Sequence, residues 1–185
     1  MDLSSFQGVK VNQDGWVAVE SYGGTDALFF AVFDGHGEHG HHVSNFLGKN
    51  LLSFSVREMR QRGTRKLTEQ VLHGAFTSCN EALQRHDEIN VHMSGSTCIS
   101  VAIQDGELIT ANLGDSRALL GSFRDAAEVS RTTGRPLHES ADQLVIRALS
   151  EDHTPELESE AKRILASGGE IRPLLIRGAY YGPQR

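Results

Sequence analysis

The chain has 185 residues, 38% hydrophobic and 23% charged, enough for one domain with a substantial core and unlike a disordered tail. Its formal net charge of -6 argues against general nucleic-acid binding, which needs a basic stripe. The longest apolar run, Ala27 to Phe33, is too short to cross a bilayer, no secretory segment follows Met1 and no Asn-x-Ser/Thr acceptor occurs, so no membrane partner and a cytosolic or nuclear address are expected.

Trp16 to Tyr22 alternates apolar and polar residues, and Leu28 to Phe33 is an apolar, partly aromatic run. The two read as paired strands joined through a turn at Gly23-Gly24. Val43, Phe46, Leu47, Leu51 and Phe54 then recur at helical spacing up to a break at Gly63, and Leu72, Phe76, Cys79 and Leu83 repeat the pattern on a second helix. Between them, Arg57, Arg60, Arg62, Arg65 and Lys66 read as a solvated helix end and turn. From Gly95 a three-strand meander is expected, turning at Asp105-Gly106 and again at Gly114-Asp115. Residues 123–143 are polar and aperiodic and read as an exposed insertion; a short strand over Leu144 to Leu149 follows. Thr154 is the expected cap of a last helix with Pro155 at its first position. That helix places Ala161, Ile164 and Leu165 on one face and stops at Gly168-Gly169. The remainder starts a strand but brings no closing element. Cys79 and Cys98 fit no disulfide framework or zinc knuckle and are expected to be buried. The order of elements is α+β with mostly antiparallel sheets, and no repeat or linker divides it.

Between the first strand pair and the first helix, Gly35, Gly37 and Gly40 form G-x-G-x-x-G within DGHGEHGHH. A dinucleotide loop requires a β-α-β unit with a strand returning after the helix, whereas here a second helix intervenes and Asp34 and Glu38 would repel a pyrophosphate. A zinc cluster of His36, His39, His41 and His42 matches no usual zinc spacing, and adjacent side chains on such a turn are expected to diverge. The third reading takes Asp34, at the end of the aromatic strand, as a carboxylate held rigidly for a cation, with the carbonyl of Gly35 as a further ligand and oxygen donors suited to Mg²⁺ or Mn²⁺. Against it stands a plain turn in which Asp34 caps and the glycines bend. On these residues alone the two are balanced.

Further stretches tip the balance. NQD at Asn12 to Asp14, FFAVFDGHG, SGST with ANLGDSRALLGS, and LSEDHTPELESEAKRILASGGEI, in this order and spacing, resemble the metal-dependent protein serine/threonine phosphatases of the 2C type, the PPM family. The likeness runs from about residue 12 to 171. It implies a β-sandwich of two antiparallel sheets flanked by helix pairs and a site for two Mg²⁺ or Mn²⁺ ions, with a weaker third. By the same resemblance Asp34 bridges both metals, Gly35 offers its carbonyl to one and Asp14 is a nearby acidic ligand. Asp115 matches a ligand of the third ion, and His36 the general acid for the leaving alcohol. Gln13 stands where some members carry a glutamate. The phosphate-binding basic residue has no counterpart at its own spacing, where Val9 falls, and Lys10 is the nearest candidate.

The implied reaction is hydrolysis of phosphoserine and phosphothreonine in protein substrates by a metal-activated water, without a protein nucleophile. The later acidic ligands of the family have no match before Arg185, so residues 1–185 are expected to form a single, C-terminally truncated catalytic domain, weak or inactive alone. The alternative is a catalytically inactive phosphatase-like binding module.

Overall fold

The apolar run ahead of the glycine loop becomes the central strand of a sheet, β2 (Leu28–His36). Phe29, Ala31, Phe33 and Gly35 point into the core, while Phe30, Val32, Asp34 and His36 take the opposite, exposed face. Phe29 and Phe33 are fully buried, each contributing roughly 1.5–3 kcal/mol of apolar burial. The strand runs two residues beyond Asp34, so the carboxylate sits within the ladder rather than at its end.

These positions belong to a computed structural model that describes residues 11–123, 144–176 and 179–183. The chain divides into two units, Met1–Ser116 and Arg117–Arg185. In the first, β1 (Asp14–Val19) pairs antiparallel with β2. Helices α1 (Gly40–Gln61) and α2 (Glu69–Gln84) follow. Next come β3 (Gly95–Ser96), β4 (Cys98–Gln104) and β5 (Glu107–Leu113). The sheet order is β1-β2-β4-β5, with β3 continuing along the end of β2. Both helices pack on one face, where Leu51, Met59, Val71, Leu72, Ala75 and Cys79 close over Phe29 and Phe33.

Local chemistry explains the boundaries. Helix α1 ends where Gly63, at φ +63°, lets the amides of Gly63 and Thr64 reach back to the carbonyls of Arg60 and Met59, a Schellman stop. Thr68 caps α2 by accepting from the Val71 amide at 3.3 Å. Asp105 and Gly106, at φ +53° and +76°, form the two-residue hairpin between β4 and β5. The arginine-rich stretch is exposed as expected, with Arg62 on Glu58 and Lys66 on Asp105. Cys79 and Cys98 are buried, and desolvation raises both thiols, Cys79 to about 11, which keeps them from acting as nucleophiles.

The expected three-strand meander is corrected. The strand after Gly114, β6 (Leu119–Phe123), does not pair with β5 but with β7 (Leu144–Ala148). The backbone is committed before β6 begins. Ala118 accepts from the Leu149 amide at 2.9 Å and donates to Ser150 Oγ at 3.0 Å, and Arg117 forks onto Asp152 at 2.9 and 2.8 Å. Residues 124–143, most of the expected insertion, lie outside the described residues.

The last helix is corrected too: α3 spans Glu158–Ala166 and Leu157, not Thr154, is its cap residue. The Thr154 carbonyl accepts from the Leu157 amide at 3.0 Å, closing a separate turn around Pro155. Leu165 is 59% exposed while Glu160 is 8% exposed and paired with Arg163, so the expected apolar face is only partly formed. The stop at Gly168-Gly169 is observed, with their amides returning to Leu165 and Ile164. The terminal stretch closes into a hairpin, β8 (Pro173–Ile176) with β9 (Ala179–Pro183), where no closing element was expected. The class is α+β, with antiparallel sheets and three α-helices among the described residues.

Candidate metal centre

Every strand of the first unit's sheet delivers one motif to the same end. Asp14, the first residue of β1, stands directly across from Asp34 in register. On the other side of β2 the ladder with β4 continues in the same register through Thr97 to β3, where Gly35 meets Ser96 and His36 meets Gly95. At the end of β5, Gly114 closes on Thr97: a Cβ there would lie 2.8 Å from Thr97 Cγ2. One row across the sheet therefore reads Asp14, Asp34, Thr97, Gly114, and Asp115 follows it.

Asp14 and Asp34 share the exposed face, and directly opposed side chains in an antiparallel pair have Cβ atoms about 4.5–5.5 Å apart. Two carboxylates so placed repel each other unless a cation lies between them. Among the described residues no group of three or more His, Cys, Asp or Glu side chains is assembled for a metal, so this acidic pair is the nucleus of the site.

Asp34 is fixed by its backbone. Its amide donates to Thr97 Oγ1 at 3.0 Å and its carbonyl accepts from the Thr97 amide at 3.0 Å. Thr97 Oγ1 also shares a 2.7 Å hydrogen bond with Ser116 Oγ, beside Asp115. Thr97 is 7% exposed, so this junction between two motifs is largely shielded from water. Asp14 is fixed from the other side: its amide donates to Asn12 Oδ1 at 3.1 Å, and buried Ser44 of α1 donates to the Gln13 carbonyl at 2.6 Å. The Gln13 amide group donates to the Gly37 carbonyl at 2.7 Å, clasping β1 to the glycine loop.

The glycines serve packing. A Cβ on Gly35 would stand 2.4 Å from the Gly40 carbonyl oxygen and 2.5 Å from that of Gln13, and one on Gly40 would meet Gly35 at 2.8 Å. β1, β2 and the start of α1 thus touch backbone to backbone, which is what the G-x-G-x-x-G spacing permits here. No strand returns before α2, so there is no dinucleotide unit. The histidines do not all diverge: the His41 and His42 rings are 4.0 Å apart and those of His39 and His42 5.6 Å. His41 and His42 lie within α1, and the His39 amide donates to Ser94 Oγ at 2.9 Å. His36 is exposed, on the face of Asp34, with Nε2 2.8 Å from where a Cβ on Gly95 would be. The ring thus lies where only a glycine leaves room.

Of the six residues singled out from sequence, Asp14, Asp34, Gly35, His36 and Asp115 meet at this sheet end; Lys10 lies outside the described residues. The reading from sequence missed Thr97, Ser44 and the Gln13 clasp. Thr97 was visible only as part of SGST, and nothing in the order of residues announces a hydrogen bond to a position 63 residues away.

Comparison with known proteins gives a match to the protein phosphatase 2C family model over residues 13–179. A relative from Arabidopsis thaliana, "Probable protein phosphatase 2C 72", is 33% identical over 179 residues, covering 91% of this chain and 49% of the relative. The chain thus spans about half the length of that curated relative, and less of others. Among solved structures, serine-threonine phosphatase 2C from Toxoplasma gondii superposes with a TM-score of 0.65 at 21% identity, over 90% of this chain and 54% of that one. A C. elegans sex determining protein does so with the same score and identity, over 92% and 38%. At such identity these two establish the fold.

Proposed function

The chain belongs to the protein phosphatase 2C family, and from that premise we propose that it carries part of the active site of a Mg²⁺- or Mn²⁺-dependent phosphatase acting on phosphoserine and phosphothreonine in proteins. The observation that carries the reading is the register of Asp14 against Asp34. Two exposed carboxylates opposed across a strand pair offer hard oxygen donors and an unbalanced negative charge, which suits Mg²⁺ or Mn²⁺. Asp14 and Asp34 would hold the metal, the Gly35 carbonyl would add a ligand, and Asp115 would serve a weaker additional ion. Bound there, divalent ions supply positive charge against a phosphate dianion and acidify water.

The chain's own residues then have distinct tasks. Thr97 and Gln13 keep the two aspartates in place from either side, so that little reorganisation is needed on binding. His36, two residues beyond Asp34 on the same exposed face, donates a proton to the departing serine or threonine oxygen. The buried cysteines stay outside the chemistry.

The test is Mn²⁺-dependent hydrolysis of p-nitrophenyl phosphate and of a phosphothreonine peptide by the full-length protein, compared with Asp34→Ala and His36→Gln. Asp34→Ala is expected to abolish both activities. His36→Gln is expected to slow the peptide more than the aryl ester, whose leaving group needs no proton. Activity that survives Asp34→Ala would refute the assignment.

A further inference from the structure

Strand β5 is the last strand of its sheet among the described residues, and its own sequence carries few of the usual devices against pairing. Its sequence ELITANL contains no Pro and no Lys, and its seven residues pair with β4 without a bulge. Alongside it runs α2. Between the two lies a groove of about 530 Å³, lined on the apolar side by Leu72, Phe76, Ile109, Ala111 and Leu113. Leu113 is 53% exposed at its mouth.

The groove has a direction. The Leu67 amide, just before α2, donates to the Gln104 side chain at the β4–β5 hairpin, and at the far end Asn80 and Leu113 line a common cavity. Helix and strand therefore run the same way, with Glu69 and Glu107 at the starting end. Both carboxylates are exposed and neither has an ion pair among the described residues, while of the cations near them Arg62 is paired with Glu58 at 3.1 Å, Lys66 with Asp105 at 3.3 Å, and the Arg65 guanidinium is turned away onto the Gly24 carbonyl. His73 lines the groove one turn further on.

We propose that this groove docks an extended segment of a partner protein, added to β5 as an antiparallel strand. Alternate apolar side chains fill the groove and a Lys or Arg at the segment's C-terminal end meets Glu69 and Glu107. Strand addition supplies main-chain hydrogen bonds along β5, and the pockets for alternate side chains supply selectivity. Antiparallel addition continues the pairing of the whole sheet and is slightly the more stable per residue. It also brings the segment's C-terminal end to the acidic end of the groove.

The experiment titrates the ¹⁵N-labelled 185-residue chain with the peptide TVTVTVK, its reversal KVTVTVT and the acidic version TVTVTVE. The expected result is that TVTVTVK shifts the amides of Ile109 to Leu113 and the facing turns of α2, and binds more tightly than either control. Glu69→Lys is expected to weaken TVTVTVK about tenfold and to favour TVTVTVE, and Leu113→Lys to remove binding. Should Leu113→Lys fail to fold by circular dichroism, Thr77→Arg on the exposed side of α2 blocks the same groove. Unmoved β5 amides at millimolar peptide would overturn the proposal, as would equal binding of all three peptides. So would sedimentation of the free chain as a dimer that already protects those amides, since a second copy would then be the occupant.

Discussion

Replacing Asp14 by asparagine tests the metal centre through stability alone. Asp14 and Asp34 are exposed register partners, whose Cβ atoms are expected about 5 Å apart; two carboxylate charges at that spacing repel by about 0.8 kcal/mol at the dielectric of water, within the ~0.2–1 kcal/mol of cross-strand pairs. Without a divalent ion, Asp14→Asn removes that repulsion and is expected to raise the melting temperature by about 1–3 °C, taking ~2–4 °C per kcal/mol for a chain of this size. With Mn²⁺ the order reverses. A ligand at a hundredfold its Kd stabilises the folded state by about 2.7 kcal/mol, or roughly 5–10 °C for the unaltered chain, and Asp14→Asn forfeits most of it. The assay is differential scanning calorimetry of both proteins in EDTA and across a Mn²⁺ series. A variant no more stable than the parent in EDTA, and raised equally by Mn²⁺, would show that the two carboxylates neither oppose each other nor share an ion.

Three further outcomes are expected. Thr97→Val keeps the shape but removes the oxygen that joins the Asp34 amide to Ser116; it should cost about 1–3 kcal/mol and weaken Mn²⁺ binding by calorimetric titration, while Thr97→Ser restores both. Gly35→Ala drives a methyl into the Gly40 and Gln13 carbonyls, which as backbone give little, so a loss of about 1–3 kcal/mol or more is expected in urea unfolding. In the second unit, Arg117 holds the Asp152 carboxyl below its ordinary range, chiefly through their hydrogen bonds, and Arg163 does the same for Glu160. A carboxyl with a depressed folded pKa stabilises above its unfolded pKa and loses that stability as pH falls through the folded value. The unit should therefore weaken in acid, below the ordinary carboxylate range, and Asp152→Asn should flatten that part of the calorimetric pH profile.

Much of the fold was legible in the sequence because local rules decide it. The alternation that put Phe29, Ala31 and Phe33 inside also put Asp34 and His36 outside, and Asp105-Gly106 and Gly63 fixed a hairpin and a helix end by their backbone preferences alone. The resemblance to 2C-type phosphatases rested on such local stretches, and the family match over residues 13–179 agrees with it. Where reading failed, the missing quantity was a partner. Nothing in LLGSF says whether it pairs with β5 or with β7, since alternation specifies a face and not a neighbour. Thr154-Pro155 has the letters of a helix start, yet a turn one step earlier took its carbonyl.

The residue types at the site were set by the chain, but their meeting was not. Asp14, Asp34 and Thr97 are separated by 20 and 63 positions and become a row only when three strands adopt one register. That register follows from the core-facing side chains of β2 and β4, because a slip of one residue would turn Phe29 and Phe33 out into water. Chain order supplied the chemistry, and only tertiary pairing, driven by burial on the opposite face of the sheet, set two like charges against each other and fixed them there.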